Sequence, residues 1–307
     1  MKTLATKTFE KWNEYASQDS WSWRGFFKTN RFQLVLFFSL MMISSVPILG
    51  MTIWVERSAV DKEFQSVSEK HLMVAKKISL ALSRYAADIE NMVNMLAKMG
   101  HFKDDYSSVS KTYFSASDGL AGLDLSYIAV IDKNDTADIK LMGTGVSTKL
   151  PGPLLLSRLK DLASAANGSV VISDLERFEG QAFFFVLKSL AGDRFLLAPL
   201  SPNYIRVIQG SVAFGNNGHA MVVDAKGRVV AHPNPQWQET SKDASKILAV
   251  KKMMARETGV VEFYAPPIKA NVIAGHTFVP ETGWGVMVPQ PVSELISHAR
   301  EVQLAGL

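Results

Sequence analysis

The segment Phe32 to Val55 reads FQLVLFFSLMMISSVPILGMTIWV and carries no ionisable side chain. It is longer than the roughly 20 apolar residues that an α-helix needs to cross the hydrocarbon core of a bilayer. Pro47 and Gly50 are tolerated in such a helix, and Trp54 has the position of an interfacial aromatic residue. The alternative is a cleaved signal peptide, but this stretch is too long, begins too late and is not followed by a small-residue cleavage site. The sequence therefore predicts a retained transmembrane helix over residues 32–55.

The basic residues beside this segment predict its orientation. Arg24, Lys28 and Arg31 precede it, whereas the residues after Val55 mix basic and acidic side chains. Because Lys and Arg are retained on the cytoplasmic side, residues 1–31 are predicted to be a cytoplasmic tail, and all residues after 55 to lie outside. For a bacterial protein this predicts insertion in the inner membrane, with residues after 55 facing the periplasm. The lipid bilayer is thus a predicted partner.

The net charge of +4 is concentrated in the tail, where residues 1–31 contain six basic and three acidic side chains. A nucleic-acid-binding protein concentrates Lys and Arg on its folded part. The residues after 55 hold 27 basic and 26 acidic side chains, so no nucleic-acid partner is predicted. The sequence also lacks cysteine, which excludes disulfides, thiolate metal sites and a cysteine nucleophile.

The next segment, residues 56–100, has the pattern of one long stalk helix. From residue 60 to residue 99 apolar side chains recur with alternating spacings of four and three, and only His71 in this seam is polar. Such a seam packs on its own domain, on a partner helix, or on both in turn. We therefore predict a homodimer formed through the stalk helix. His71 is interpreted as a tolerated polar residue in the seam and not as a pH switch.

After Gly100 the pattern changes to short strands and turns. The first round predicts a strand at 125–131, a turn at 132–135, a helix at 151–166, and strands at 169–173, 181–189 and 194–200. The second round predicts strands at 219–224 and 228–232, a helix at 241–255, and strands at 259–264, 271–278 and 283–288. Residues 291–306 then form a further helical pattern. The same order of elements occurs twice, which indicates a structural repeat.

The second round contains the most specific residues. It reads MVVDAKGRVVAHP at 221–233, ETGVVEFY at 257–264 and VPETGWGV at 279–286, and it resembles the membrane-proximal half of double Cache sensor domains. These are tandem PAS-like modules found outside the membrane in histidine kinases, chemoreceptors and diguanylate cyclases. The resemblance implies an α+β fold with two antiparallel sheets: a membrane-distal module at 101–207, a membrane-proximal module at 208–290, and a return helix at 291–307 toward a second membrane span. The sequence is then expected to be a fragment of a longer receptor.

The motif residues themselves are interpreted as structural. Asp224 and Gly227 have the chemistry of a turn between two strands, with the glycine at positive φ. Trp284 between two glycines is a large anchor where backbones approach closely. His232, which precedes a proline, is predicted to be a strand-end residue and not a metal ligand.

The distal module is where such sensors commonly hold a ligand. Amino-acid-binding members carry an Arg-x-Trp-Tyr run, whereas this chain has SRLKD at 157–161, so no amino-acid pocket is assigned. The predicted ligand-binding residues are polar groups at strand ends together with aromatic side chains: Tyr127, Arg158, Asp174, Arg177, Phe183 and Phe185. The two arginines predict a small-molecule ligand that is anionic. The alternative is that the phenylalanines are core and that Asp174 and Arg177 belong to a solvated loop.

No catalytic motif is present: the sequence lacks the G-x-S-x-G, H-E-x-x-H, Walker and G-x-G-x-x-G patterns. We therefore predict no enzyme activity, no catalytic residues, no cofactor and no metal. The predicted function is the small-molecule-sensing input region of a transmembrane receptor with a diguanylate cyclase or histidine kinase output. Two alternatives are the ligand-binding region of a methyl-accepting chemoreceptor and a membrane-tethered interaction module without signalling output.

Overall fold

A computed structural model describes residues 31–103, 120–132, 139–142, 149–214 and 218–297. They form two units, one ending at Asp61 and the other beginning at Lys62. In the described residues, Gln33–Val55 is the one helical segment long and apolar enough to cross a membrane. Its polar side chains bond to the helix itself: Ser44 donates to the carbonyl of Met41 at 3.1 Å and Thr52 to that of Ile48 at 2.8 Å. The hydroxyl groups of Ser44 and Thr52 therefore both have a hydrogen-bond acceptor within the helix, as an apolar environment requires.

Helix α1 has the bounds Arg31–Lys103 and contains Pro47. Within the second unit its seam packs against the rest of that unit, with Ile78, Tyr85 and Ile89 buried. Two side chains also bond across: Ser79 donates to the carbonyl of Phe278 at 2.7 Å and Tyr85 to that of Leu123 at 2.9 Å. The predicted stalk helix is confirmed, and of the alternatives left open for its seam, packing on its own domain is the one observed.

The distal module contains strands that form an antiparallel sheet in the order β2-β1-β6-β5-β3, with β4 paired to β5. Its elements are β1 (Ile128–Asp132), β2 (Ile139–Met142), α2 (Pro153–Ala165), β3 (Val170–Ile172), β4 (Glu176–Phe178), β5 (Gln181–Leu190) and β6 (Arg194–Leu200). Because side chains alternate along a strand, Phe184 and Val186 enter the core shared with α1, whereas Phe185 and Leu187 pack under α2.

The proximal module follows α3 (Asn203–Gly210) and the short strands β7 (Ala213–Phe214) and β8 (Gly218–His219). Its elements are β9 (Met221–Val223), β10 (Val229–Ala231), α4 (Pro235–Glu239), α5 (Leu248–Met254), β11 (Gly259–Ala265), β12 (Ala270–Phe278) and β13 (Gly285–Pro291). They form an antiparallel sheet in the order β10-β9-β13-β12-β11. This is the strand order of the distal sheet, position for position, so the predicted repeat is confirmed.

One hydrophobic core joins both modules to α1. It contains Leu82 and Ile89 from α1, Phe184 from the distal sheet, and Val286 and Trp284 from the proximal module. The rings of Phe184 and Trp284 lie 4.9 Å apart between centroids. The predicted anchoring role of Trp284 is confirmed, and it acts at the junction of the two modules.

The predicted helix over residues 241–255 is wrong in its first half, because only Leu248–Met254 is helical. Residues 242–244 instead bond to the β9–β10 turn: Val229 donates its N–H to the carbonyl of Lys242 and Ala244 to that of Gly227, each at 2.9 Å. A helix would have to break these bonds. Residues 292–297 are helical, and the remainder of the predicted return helix lies outside the described residues, as does most of the turn at 132–135.

The prediction for the distal half and the connection after it gave no residue ranges for several elements, among them β2, β4, α3 and β7. Strand β4 is only three residues long. Helix α3 begins after Pro202, and the N–H of its second residue is bonded by a side chain from a distant part of the sequence. The N–H of Tyr204 donates to the carboxylate of Asp124 at 2.8 Å. The stabilising group is far away in the sequence, so local patterns do not reveal this helix start.

Candidate functional site

The face of the distal sheet that lies under α2 is aromatic. Tyr127 and Phe185 are buried there, and Phe178 and Phe183 pack against them while partly exposed. The ring of Phe178 meets those of Phe183 and Phe185 edge to face, with centroids 6.0 Å and 5.9 Å apart. These four rings therefore make one apolar surface, which is bounded by α2.

Tyr127 has its polar end satisfied at the rim of this surface. Its hydroxyl donates to the carbonyl of Lys149 at 2.7 Å. Burial raises the pKa of Tyr127, and the nearby charge of Glu179 raises it further. The phenol is therefore neutral at physiological pH and acts only as a hydrogen-bonding group.

Arg158, on α2, lies at the edge of the same surface and forms an ion pair with Glu176 of β4, with 3.0 Å between Nη2 and Oε2. The Arg158 side chain is 58% exposed and that of Glu176 19% exposed. The Arg158 side of this pair is open to solvent, so an incoming anion can reach the guanidinium.

Asp174 and Arg177 point away from this surface and contact the proximal module. The Asp174 carboxylate pairs with Lys226 Nζ at 2.9 Å. The Arg177 guanidinium donates to the carbonyl of Glu239 at 2.7 Å and to that of Gly180 at 3.1 Å. The structure thus brings Tyr127, Phe183, Phe185 and Arg158 together under α2, and places Asp174 and Arg177 at the junction of the modules.

Asp224 contributes a buried carboxylate to that junction, a role beyond the turn predicted for it. Its side chain is 0% exposed, and its Oδ1 accepts the N–H groups of Lys226 at 3.0 Å and of Arg228 at 2.8 Å. Its Oδ2 accepts from Arg228 Nε at 2.8 Å and from the N–H of Leu175, in the distal module, at 3.3 Å. The predicted turn is confirmed, including Gly227 at φ +80°. The bond to Leu175 could not be foreseen, because nothing in the sequence DAKGR at 224–228 identifies a partner outside those residues.

The proximal module also contains a histidine pair. The Nε2 atoms of His219 and His232 lie 3.2 Å apart. The ring of Trp237 stacks on that of His232, and Lys242 Nζ lies over the Trp237 ring. His232 Nδ1 accepts the N–H of Asn234 at 2.9 Å, so Nε2 carries the ring proton of the neutral tautomer. Burial, His219 and Lys242 together lower the pKa of His232 to about 4. His232 is thus hydrogen-bonded within the module through both ring nitrogens.

Within the described residues there is no group of three or more His, Asp or Glu side chains arranged to hold a metal ion. The site offers hydrogen-bonding groups, the accessible guanidinium of Arg158 and an apolar surface. These are the components of a binding site for a small polar molecule.

No protein-family model matches the sequence, and no curated protein sequence matches it. Solved structures match its fold. The ligand-binding domain of Mlp24 with asparagine is 11% identical with a TM-score of 0.62, over 79% of this chain and 99% of that one. The extracellular domain assigned to a histidine kinase, rpHK1S-Z16, is 15% identical with a TM-score of 0.62, over 76% and 98%. The ligand-binding domain of the amino-acid chemoreceptor PctB of Pseudomonas aeruginosa PAO1, in complex with L-Gln, is 13% identical with a TM-score of 0.52, over 78% and 98%.

These likenesses confirm the predicted fold. A long helix followed by two modules with antiparallel sheets is the architecture that this chain shares with extracellular sensor domains of chemoreceptors and histidine kinases. The shared part includes almost the whole length of each of those domains and 76–79% of this chain.

Proposed function

We propose that this chain is the membrane-anchored, small-molecule-sensing input region of a transmembrane signalling receptor. The observation that carries the proposal is the combination of one candidate membrane span, Gln33–Val55, with a two-module unit that has the fold of ligand-binding sensor domains. The proposed place of the protein is the bacterial inner membrane, with the two modules in the periplasm. Its proposed role is binding, without catalysis.

The proposed ligand site is the aromatic surface under α2, with Arg158 at its edge. Tyr127 and Phe185 form its buried floor, and Phe183 its partly exposed side. A carboxylate or similar anion would pair with the Arg158 guanidinium in bidentate fashion, in exchange for Glu176. Structural neighbours bind asparagine and L-Gln, and both ligands carry a carboxylate. These facts support an anionic or zwitterionic small molecule as the ligand class.

The output of the receptor is proposed to be a diguanylate cyclase or histidine kinase, with a chemoreceptor as the second candidate. The extracellular domain assigned to a histidine kinase and the ligand-binding domain of a chemoreceptor are both among the structural neighbours. A homodimer through α1 also remains a proposal. The apolar seam of α1 already packs against the two modules of its own chain. The face proposed to meet a partner therefore contains Met73 and Leu80, which are exposed large apolar residues on one side of α1.

The ligand proposal predicts a thermal shift. The full chain in lipid nanodiscs is mixed with L-asparagine, L-glutamine, L-valine or succinate, and its melting temperature is measured. A ligand present at 100 times its dissociation constant stabilises the folded state by about 2.7 kcal/mol, which is readily visible. Arg158→Ala should abolish this shift, because the anion loses its cation.

Arg84→Ala is the matched control, since Arg84 is likewise an exposed arginine but lies on α1, outside the proposed ligand surface. It should leave the shift unchanged. A shift that survives Arg158→Ala would place the ligand elsewhere. No shift with any of the four compounds would count against this ligand class.

A further inference from the structure

Residues 173–178, here called the linking segment, contact the distal and the proximal module alternately. On the distal side, the hydroxyl of Ser173 accepts the N–H of Phe185 at 2.9 Å and donates to the carbonyl of Asp174 at 2.8 Å. Glu176 pairs with Arg158 of α2. The segment is therefore fixed to the aromatic surface at one end and to the edge of the proposed ligand site at the other.

Asp174 and Arg177 of the segment face the proximal module. Asp174 pairs with Lys226 in the β9–β10 turn, and Arg177 donates to the carbonyl of Glu239 at the end of α4. Because side chains alternate along a strand, neighbouring residues of β4 point to opposite sides. Glu176 thus meets α2 while Arg177 meets α4.

Leu175 makes the buried contact in the middle. Its side chain is 2% exposed and lies in the core shared by the two modules. Its N–H donates to Asp224 Oδ2, the atom that also accepts from the Arg228 guanidinium. A buried backbone N–H without an acceptor is costly, so movement of Leu175 disturbs the carboxylate that organises the β9–β10 turn.

We propose that the linking segment transmits changes at the α2 surface to the β9–β10 turn and α4 of the proximal module. An anion that takes Arg158 from Glu176 removes the ion pair between β4 and α2, while the pairing of β4 with β5 remains. Asp174, Leu175 and Arg177 are part of the same short segment and move with it, and their partners in the proximal module respond. The use of this route by a ligand rests on the proposed function, but the coupling itself is a property of the fold.

The coupling is tested without a ligand. Arg158→Glu places a carboxylate against Glu176 and so detaches β4 from α2. Hydrogen–deuterium exchange is then measured in the full chain in nanodiscs. We expect the amides of Lys226 and Arg228, which bond to Asp224, and those of α4 to exchange about fivefold faster, the lower end of typical coupling between sites.

Arg84→Glu is the matched control, because it makes the same charge reversal at an exposed arginine of α1, an element outside the linking segment. It should leave exchange in the β9–β10 turn unchanged. The amides that join β11 to β12 report on the rest of the proximal sheet and should be unaffected by either variant.

Two results would overturn the proposal. One is unchanged exchange at Lys226 and Arg228 in Arg158→Glu, and the other is an equal increase in Arg84→Glu, which would indicate general loosening. Ser173→Ala is a second variant, without a charge change, that removes the side-chain bonds to Phe185 and Asp174 while the Ser173 N–H bond to the Phe185 carbonyl remains. It should act on the same amides. Because no ligand is added, a failure of the thermal-shift experiment leaves this test intact, and the reverse also holds.

Discussion

Replacement of Trp284 with alanine should lower the free energy of unfolding by roughly 3–5 kcal/mol, the range for a large aromatic residue lost from a core. Trp284 is 2% exposed and packs on Phe184 of the distal sheet. The backbone on both sides of Trp284 is closely constrained: Gly283 has φ +72°, and a Cβ on Gly285 would lie 2.8 Å from Val223 Cγ2. The surrounding chain therefore has little freedom to move into the cavity that the indole ring would leave. The loss would therefore weaken the contact between the two modules as well as the proximal core.

Equilibrium denaturation of the full chain in nanodiscs measures this effect. Trp237→Ala is the matched control, because Trp237 belongs to the same module but is only partly buried and stacks on His232. It should cost clearly less. A Trp284→Ala variant that melts within a degree or two of the wild type would show that Trp284 is not the anchor of the junction.

Replacement of Asp224 with alanine should also cost about 3–5 kcal/mol, the range for breaking one partner out of a buried ion pair. The carboxylate accepts three backbone N–H groups and the Arg228 guanidinium. Its removal leaves these donors without their acceptor. The expected measurement is again the free energy of unfolding, with a second readout in faster exchange of the Leu175 amide.

Asp224→Asn separates shape from charge in this cluster. Both carboxylate oxygens accept from N–H donors, so an amide in either orientation turns an –NH₂ group toward a donor. The asparagine variant should therefore be destabilised although its volume is unchanged. Asp243→Ala is the control, since Asp243 also accepts a backbone N–H, from Ser245 at 2.9 Å, but is exposed, and it should have a much smaller effect. Equal losses for Asp243→Ala and Asp224→Ala would contradict the buried-cluster account.

Much of the fold was predictable because it follows from local patterns. The four-three spacing on α1 indicates which side chains are buried, and the alternation along β5 assigns Phe184 to one face and Phe185 to the other. The Asp224–Gly227 turn follows from turn chemistry alone. The repeated order of elements indicates two modules, and the equal strand orders of the two sheets confirm it.

The site was less predictable because its contacts join residues that are far apart in sequence. Arg177 bonds to Glu239 and Leu175 to Asp224, and neither pair shares a motif. The predicted helix over 241–255 failed for the same reason, since Lys242 and Ala244 bond to residues 229 and 227 of the distant turn. Local propensity is a weak guide wherever such tertiary bonds compete with it.

The central claim, that the two modules lie outside the cytoplasm, is tested most directly by thiol labelling. The sequence has no cysteine, so Tyr264→Cys, at a position 58% exposed on the edge strand β11, introduces a single thiol. Spheroplasts that express the full chain are treated with a membrane-impermeant maleimide before or after lysis. We expect Tyr264→Cys to be labelled equally in both samples, and Ser17→Cys, in the N-terminal tail, to be labelled only after lysis. Labelling of Tyr264→Cys only after lysis would contradict the account.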